Sequence, residues 1–290
     1  MEFRQLEYFI EVALCQNFTR AAENLLVAQP AVSKAIQKLE QELQVTLIDR
    51  SSKHIALTPE GEVFLQHAKE IFHRVEETKV EMNEMRGLEK GEVRIGLPSM
   101  VGSYYFPAII KDFKRKYSAL QINVVEEGTM QVQRLIERGE VDLGIIVVDQ
   151  PLDHLDYIPL LHEEMVACVP SDHPFAQKDY VTYHDLVKEP LILFKEGYFQ
   201  RHLILETSKI TGVNPNVSFS ANQLSLIKSF VAEGLGVTLF LRLVAAADPK
   251  LVAVSLNPPI YLSLAVAWNK NKYLSLASQA FLDFLKNRKE

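Results

Sequence analysis

At 290 residues, 48% hydrophobic and 23% charged, with a formal net charge of −6, the chain has apolar mass for two or three cored domains and is too hydrophobic to stay disordered. No apolar run of 18 residues and no signal-peptide core occurs, which predicts a cytoplasmic protein without a membrane span, and two cysteines cannot build a disulfide framework. The acidic balance excludes a generally basic surface, so any nucleic-acid contact must come from one local face.

The chain opens with a helix whose Leu6, Phe9, Ile10 and Ala13 form an apolar stripe. Residues 18–43, FTRAAENLLVAQPAVSKAIQKLEQEL, then read as two short helices around one tight turn, the grammar of a helix-turn-helix DNA reader. The first runs over 19–25, with the Thr19 hydroxyl as its cap and Ala22 and Leu25 facing inward. Leu26, Val27 and Ala28 make the turn. Gln29 takes the cap position of the second helix and Pro30 its first turn, where a missing amide proton costs nothing. Val32, Ile36, Leu39 and Leu43 recur at helical spacing as the buried stripe, leaving Gln29, Ser33, Lys34, Gln37 and Lys38 on the opposite face. Such a face suits the major groove: Gln can pair with N6 and N7 of adenine, Lys reaches guanine acceptors or a phosphate, and Ser33 holds a phosphate.

Residues 46–48 and 55–57 flank Arg50, Ser51, Ser52, Lys53 and His54, a hairpin with a basic tip that reads as a wing against the flanking DNA backbone. Residues 1–58 hold six Lys and Arg against seven Asp and Glu. Lys34, Lys38, Arg50 and Lys53 are expected on the reading surface, with Glu2, Glu7, Glu11, Glu40 and Glu42 off it. Thr58, Pro59 and Glu60 start a long helix by capping hydroxyl, first-turn proline and dipole-favoured carboxylate. Along it Phe64, Ala68, Ile71, Val75, Thr78, Met82 and Met85 follow at spacings of three and four, the seam of a dimerising helix that ends near Arg86 and Gly87. Residues 88–91 form a hinge.

Beyond it short apolar strands alternate with helices: strands at 93–97, 122–125 and 143–148 around helices 104–116 and 130–138, a βαβαβ unit. A second half follows, with strands at 165–169, 191–194, 217–219 and 237–240 and helices at 201–210 and 224–233. A strand at 262–268 and a helix at 276–286 return to the first. Two such lobes close on a ligand at the C-terminal ends of their strands. Ser99, Met100 and Val101 follow the first strand and Thr129 the second, so hydroxyls and free amides gather at helix starts that favour an anion. The bland reading of each hydroxyl is a cap for its own helix. Phe194, Asn222, Gln223 and Phe240 are expected to face them from the second lobe.

The FTRAA, QPAVS and LTPEG motifs, in this order and at these offsets, resemble the N-terminal domain of the LysR-type transcriptional regulators. The resemblance implies an α+β and α/β multidomain chain: a winged helix-turn-helix over 1–58, a linker helix over 59–87, the hinge, and a two-lobed periplasmic-binding-protein-like α/β effector domain over 92–290. The lobes would take 92–161 with 268–290, and 162–267. It places Thr19, Pro30 and Thr58 with Gln29, Ser33, Lys34, Gln37, Lys38, Arg50 and Lys53 at double-stranded DNA. It carries Ser99 and Thr129 onto effector-contacting positions. It further implies a homodimer through the linker helix, a homotetramer, and RNA polymerase as a partner. Lys34 and Lys38 stand where the family often has Arg, and Lys cannot form the bidentate fork to guanine.

No chemistry of another class competes strongly. The run Gly234-Leu-Gly236-Val-Thr lacks a third glycine and precedes a strand, the eight histidines form no i, i+4 pair beside another ligand, and no Gly-x-Ser-x-Gly elbow occurs. No metal, cofactor or catalytic residue is therefore expected, and the effector is expected to be a small organic acid. The rival is a solute-binding or enzymatic α/β protein whose first 60 residues serve as a helical interaction module.

Overall fold

The computed structural model describes residues 1–50, 55–84, 91–150 and 152–288, and divides into two compact units, Met1–Arg86 and Gly87–Glu290. In the first unit, α1 (Phe3–Cys15), α2 (Phe18–Asn24) and α3 (Gln29–Leu43) pack with β1 (Ile48–Asp49), β2 (Ala56–Leu57) and α4 (Pro59–Glu84). Its core is Leu6, Phe9, Val12, Ala21, Ala22, Val32, Ile36, Leu39, Leu47, Ile48 and Ala68. The α3 stripe is thus buried as its spacing predicts, except Leu43, which is half-buried.

Both caps shift from their expected positions. Asn17, not Thr19, caps α2, its Oδ1 accepting from the amides of Thr19 at 2.9 Å and Arg20 at 3.0 Å. Gln29 is the first residue of α3 and not its cap, the cap being Ala28 without a side-chain bond. The turn closes by Leu26 N–H to Glu23 O (3.1 Å) and Val27 N–H to Ala22 O (3.0 Å), with Leu26 left-handed at φ 55°.

β1 and β2 pair antiparallel, Ile48 with Leu57 and Asp49 with Ala56, which gives the wing its base. Its tip, including the expected contact Lys53, lies outside the described residues, as do Met85 and positions 88–90 of the expected hinge. Thr58 caps α4 as expected, donating to Thr46 O at 2.6 Å and accepting from Gly61 N at 3.0 Å. Gly61 is required there: a Cβ would stand 2.0 Å from the Leu47 carbonyl oxygen. The LTPEG motif therefore docks the long helix against the base of the wing.

The second unit continues with β3 (Gly91–Leu97), α5 (Ser99–Tyr104), α6 (Phe106–Lys116), β4 (Leu120–Glu126), α7 (Thr129–Arg138), β5 (Leu143–Val147), β6 (Leu155–Pro170), β7 (Tyr180–Thr182), α8 (Tyr183–Leu186), β8 (Leu191–Phe194), α9 (Phe199–Thr211), β9 (Val217–Ala221), α10 (Leu224–Ala232), β10 (Thr238–Leu241), α11 (Arg242–Ala246), β11 (Leu251–Asn269) and α12 (Leu276–Asn287). The helix expected at 104–116 is α6, which starts at Phe106 with Pro107 in its first turn, and a short helix that the sequence did not suggest, α5, precedes it.

β3 pairs in parallel with β4 and β5, and β11 joins antiparallel to β5, forming the first lobe. β10, β6, β11 and β7 make the second, to which β8 and β9 are added through a Leu191–Val237 bridge. The expected strands 165–169 and 262–268 are only parts of β6 and β11, of 16 and 19 residues, which pair with each other across both lobes. This moves a boundary. Residues 264–267 pair with β5 and so belong to the first lobe, whereas the division at 267/268 gives them to the second.

A candidate DNA-reading face and a cleft between two lobes

Along α3, burial of Val32, Ile36 and Leu39 leaves Gln29, Pro30, Lys34, Gln37 and Lys38 exposed and Ser33 half-buried. The structure therefore brings these six residues onto or beside one free face. One electrostatic detail departs from the expected sorting of charges. Glu2, expected off the surface, pairs with Lys38 at 3.2 Å, and both side chains remain mostly exposed. Glu40, at the inner edge of α3, accepts from the amides of Leu47 (2.9 Å) and Ile48 (3.1 Å) and pairs with Arg50 at 2.8 Å. Arg50 is thus tied to α3, with its guanidinium 5.8 Å from the Phe18 ring centroid. Thr19 is exposed, whereas the Thr58 hydroxyl is engaged at the start of α4. Glu40 was missed in the sequence because it lies one residue beyond the apolar stripe and looks like an ordinary solvated acid.

The expected seam of α4 is buried over its first turns and exposed farther along. Phe64 meets the Phe9 ring at 5.2 Å and Ala68 is buried, so the first turns pack on their own unit. Farther along, Ile71 is 39% and Met82 50% exposed. Phe72 stacks on Phe3 at 4.9 Å and belongs to the intramolecular side.

In the second unit a narrow slot lies between the lobes, with a free volume of about 30 Å³, room for one or two waters. Ser99, Met100, Val101 and Thr129 line it from the first lobe, and Tyr198, Gln200 and Leu241 from the second. Ser99 is 3% and Thr129 8% exposed, and neither hydroxyl has a hydrogen-bond partner. Nor is either a helix cap, since Pro98 and Gly128 hold those positions. The Met100 sulfur accepts from the Leu241 amide at 3.3 Å and from Gln200 Nε2 at 3.8 Å. Tyr198 stacks on Phe194 at 4.3 Å. Burial raises its phenol pKa, the nearby Ser99 hydroxyl opposes this without completing a hydrogen bond of ordinary geometry, and Glu126 and Glu127 add to the rise.

None of the four expected second-lobe residues lines the slot. Phe194 and Phe240 are fully buried in the core, their rings 6.3 Å apart, because β8 and β10 are covered on both faces. Asn222 is exposed and lines neither this slot nor the larger compartment. Gln223 lines that second, open compartment of about 720 Å³ with Glu126 and Lys228. There Lys228 donates to Tyr104 Oη at 2.6 Å and pairs with Asp248 at 2.8 Å. Burial lowers the Lys228 pKa, but these hydrogen bonds outweigh it and the net shift is upward. Tyr198 and Gln200 were not picked out in the sequence, although GYFQR follows β8 as PSMV follows β3, at the C-terminal end of a strand.

Neither cysteine is poised for redox chemistry. Burial pushes the Cys168 thiol up to about 12, and partial burial followed by a hydrogen bond to Glu11 raises Cys15. Among the described residues no cluster of potential metal ligands occurs, and no helix is long and apolar enough to cross a membrane.

The family described as "LysR substrate binding domain" matches residues 86–290, and "Bacterial regulatory helix-turn-helix protein, lysR family" matches residues 3–62. The uncharacterized HTH-type transcriptional regulator YcgK of Bacillus subtilis (strain 168) is 32% identical, over 98% of this chain and 93% of its own. The transcriptional dual regulator GltC of the same organism is 32% identical, over 98% and 96%. Among solved structures, a full-length OxyR variant from Pseudomonas aeruginosa aligns with a TM-score of 0.67 at 25% identity, over 99% of this chain and 95% of that one. CbnR, a LysR family transcriptional regulator, aligns at 0.71 and 20% identity over 99% and 98%, which supports the fold. These matches span both units and set aside the solute-binding or enzymatic alternative. The chain belongs to the LysR-type family of DNA-binding transcriptional regulators, proteins with an effector-binding domain and no enzymatic activity.

Proposed function

We propose that this regulator reads DNA through the exposed face of α3, as a homodimer joined along α4 that assembles further into a tetramer, and that a small organic anion bound between the lobes controls it. It acts in the cytoplasm, where its DNA is, with RNA polymerase as its downstream partner. Gln29, Lys34, Gln37 and Lys38 reach bases or phosphates, Ser33 and Thr19 hold backbone phosphates, and the Arg50 and Lys53 wing follows the flanking strand.

The observation that carries the effector reading is the pair of buried, unpartnered hydroxyls, Ser99 and Thr129, facing one slot. A buried polar group without a partner costs about 1 to 3 kcal/mol, so their retention has a reason outside the ligand-free protein. The other polar groups there, the Leu241 amide, Gln200 and Tyr198, can all donate, and among the described residues no Lys, Arg, His or carboxylate lines the slot. An oxygen-rich anion with an apolar remainder beside Val101, Leu262 and Leu264 suits that set.

The test is a melting titration against a panel of small carboxylates. Without ligand, Ser99→Ala and Thr129→Val should melt at or slightly above the wild-type temperature, because each removes an orphaned polar atom. With the stabilising acid, each should lose about 1.5 to 3 kcal/mol of binding. Lower ligand-free melting with an unchanged response to the acid would assign the hydroxyls to the fold instead.

A further inference from the structure

Where an anion would find room in the slot bears on how it is recognised. About 30 Å³ is free, and the lobes already touch backbone to backbone: a Cβ on Gly128 would stand 2.1 Å from the Gly197 carbonyl oxygen. Met100 lines the slot, and its flexible side chain reaches from α5 to the opposite lobe. A thioether is a weak acceptor, yet it is the partner of the buried Leu241 amide and of the Gln200 side-chain amide. Both are donors that a carboxylate would satisfy far better. They converge on the slot that also holds the unpartnered Ser99 and Thr129 hydroxyls.

We infer that Met100 is a displaceable internal occupant of the effector slot, its sulfur holding the Leu241 and Gln200 donors until an effector oxygen replaces it. This rests on the anion reading above and adds how the slot is regulated. Methionine suits the role, since three rotatable bonds let it swing aside without moving the backbone. Its displacement does two things at once: it vacates volume and frees two donors beside two waiting hydroxyls. Met100 then sets both the affinity threshold and the largest acid admitted.

The test uses the full-length protein with acetate and benzoate as probes, their dissociation constants read by ligand-observed NMR. Met100→Leu conserves volume but offers no acceptor, so both probes should bind about three- to tenfold tighter. Met100→Ala also opens space, so benzoate should gain about tenfold or more and acetate less. If both probes bind the wild type through Ser99 and Thr129 with constants unchanged in both variants, the inference fails and the anion reading stands. A gain in Met100→Ala alone overturns the role of the sulfur and leaves only a steric plug. If neither probe binds any of the proteins, or Ser99→Ala and Thr129→Val leave binding untouched, the anion reading falls and the inference with it.

Discussion

Replacing Glu40 by Ala should destabilise the DNA-reading unit selectively. The carboxylate serves the Leu47 and Ile48 amides and Arg50 together, and its side chain is only 10% exposed. Its loss strands two buried amides and leaves a guanidinium without its counter-ion. Because Arg50 remains 38% exposed, water screens its part, and the expected cost is about 3 kcal/mol, mostly from the amides. The protein reports on its two units separately, since its single tryptophan, Trp268, lies in β11. Denaturation followed by tryptophan fluorescence should be unchanged, whereas the helical circular-dichroism signal should acquire an early transition. Coincident early transitions by both probes would mean that the Glu40 tie is not local. Glu40→Gln keeps an acceptor for the amides and should recover part of the loss.

Ile71→Asp combined with Val75→Asp should abolish dimerisation and operator binding. Ile71 is open to solvent and Val75 half-buried in the single chain, whereas Phe64 and Ala68, earlier in the same seam, are already engaged by α1. Substitution at Phe64 would therefore confuse folding with assembly; the chosen pair does not. Two carboxylates per chain facing their copies in an apolar seam should raise the dimer dissociation constant by about a thousandfold or more. Operator affinity should fall with it, because a two-fold site needs both readers at fixed spacing. Sedimentation velocity with Trp268 fluorescence as a folding control separates the outcomes. A folded, intact dimer would place the interface elsewhere.

What the sequence made legible follows from range. The α3 stripe, the Pro30 start and the Thr58 cap depend on neighbours within a few residues, so spacing and capping chemistry found them. Cap positions slipped where two capable residues stand together, as Asn17 and Thr19 do. The length of β6 and β11 was hidden because their pairing joins residues about 100 positions apart. Polar residues such as Asp156, His162 and Glu163, and the Pro258–Pro259 step, also break their apolar runs. In the slot, Ser99 and Thr129 were found from strand ends and helix starts, but Phe194 and Phe240 were misplaced. A strand covered on both faces buries every residue, and one sequence does not distinguish that from a half-exposed strand. Glu40, Tyr198 and Gln200 owe their roles to contacts across the fold, which no local pattern announces.

That α3 reads base edges is the claim on which the regulator's function depends, and one binding experiment addresses it. Fluorescence anisotropy would compare wild type and Gln29→Ala on the DNA upstream of the protein's own gene and on a scrambled duplex, at one fixed salt concentration. Gln29 is exposed at the first position of α3, and its amide can pair with adenine. The substitution should therefore cost about 1 to 3 kcal/mol on the upstream DNA and nearly nothing on the scrambled duplex. Equal losses on both duplexes would show that Gln29 contacts only the backbone and would contradict the assignment of α3 as the base-reading helix.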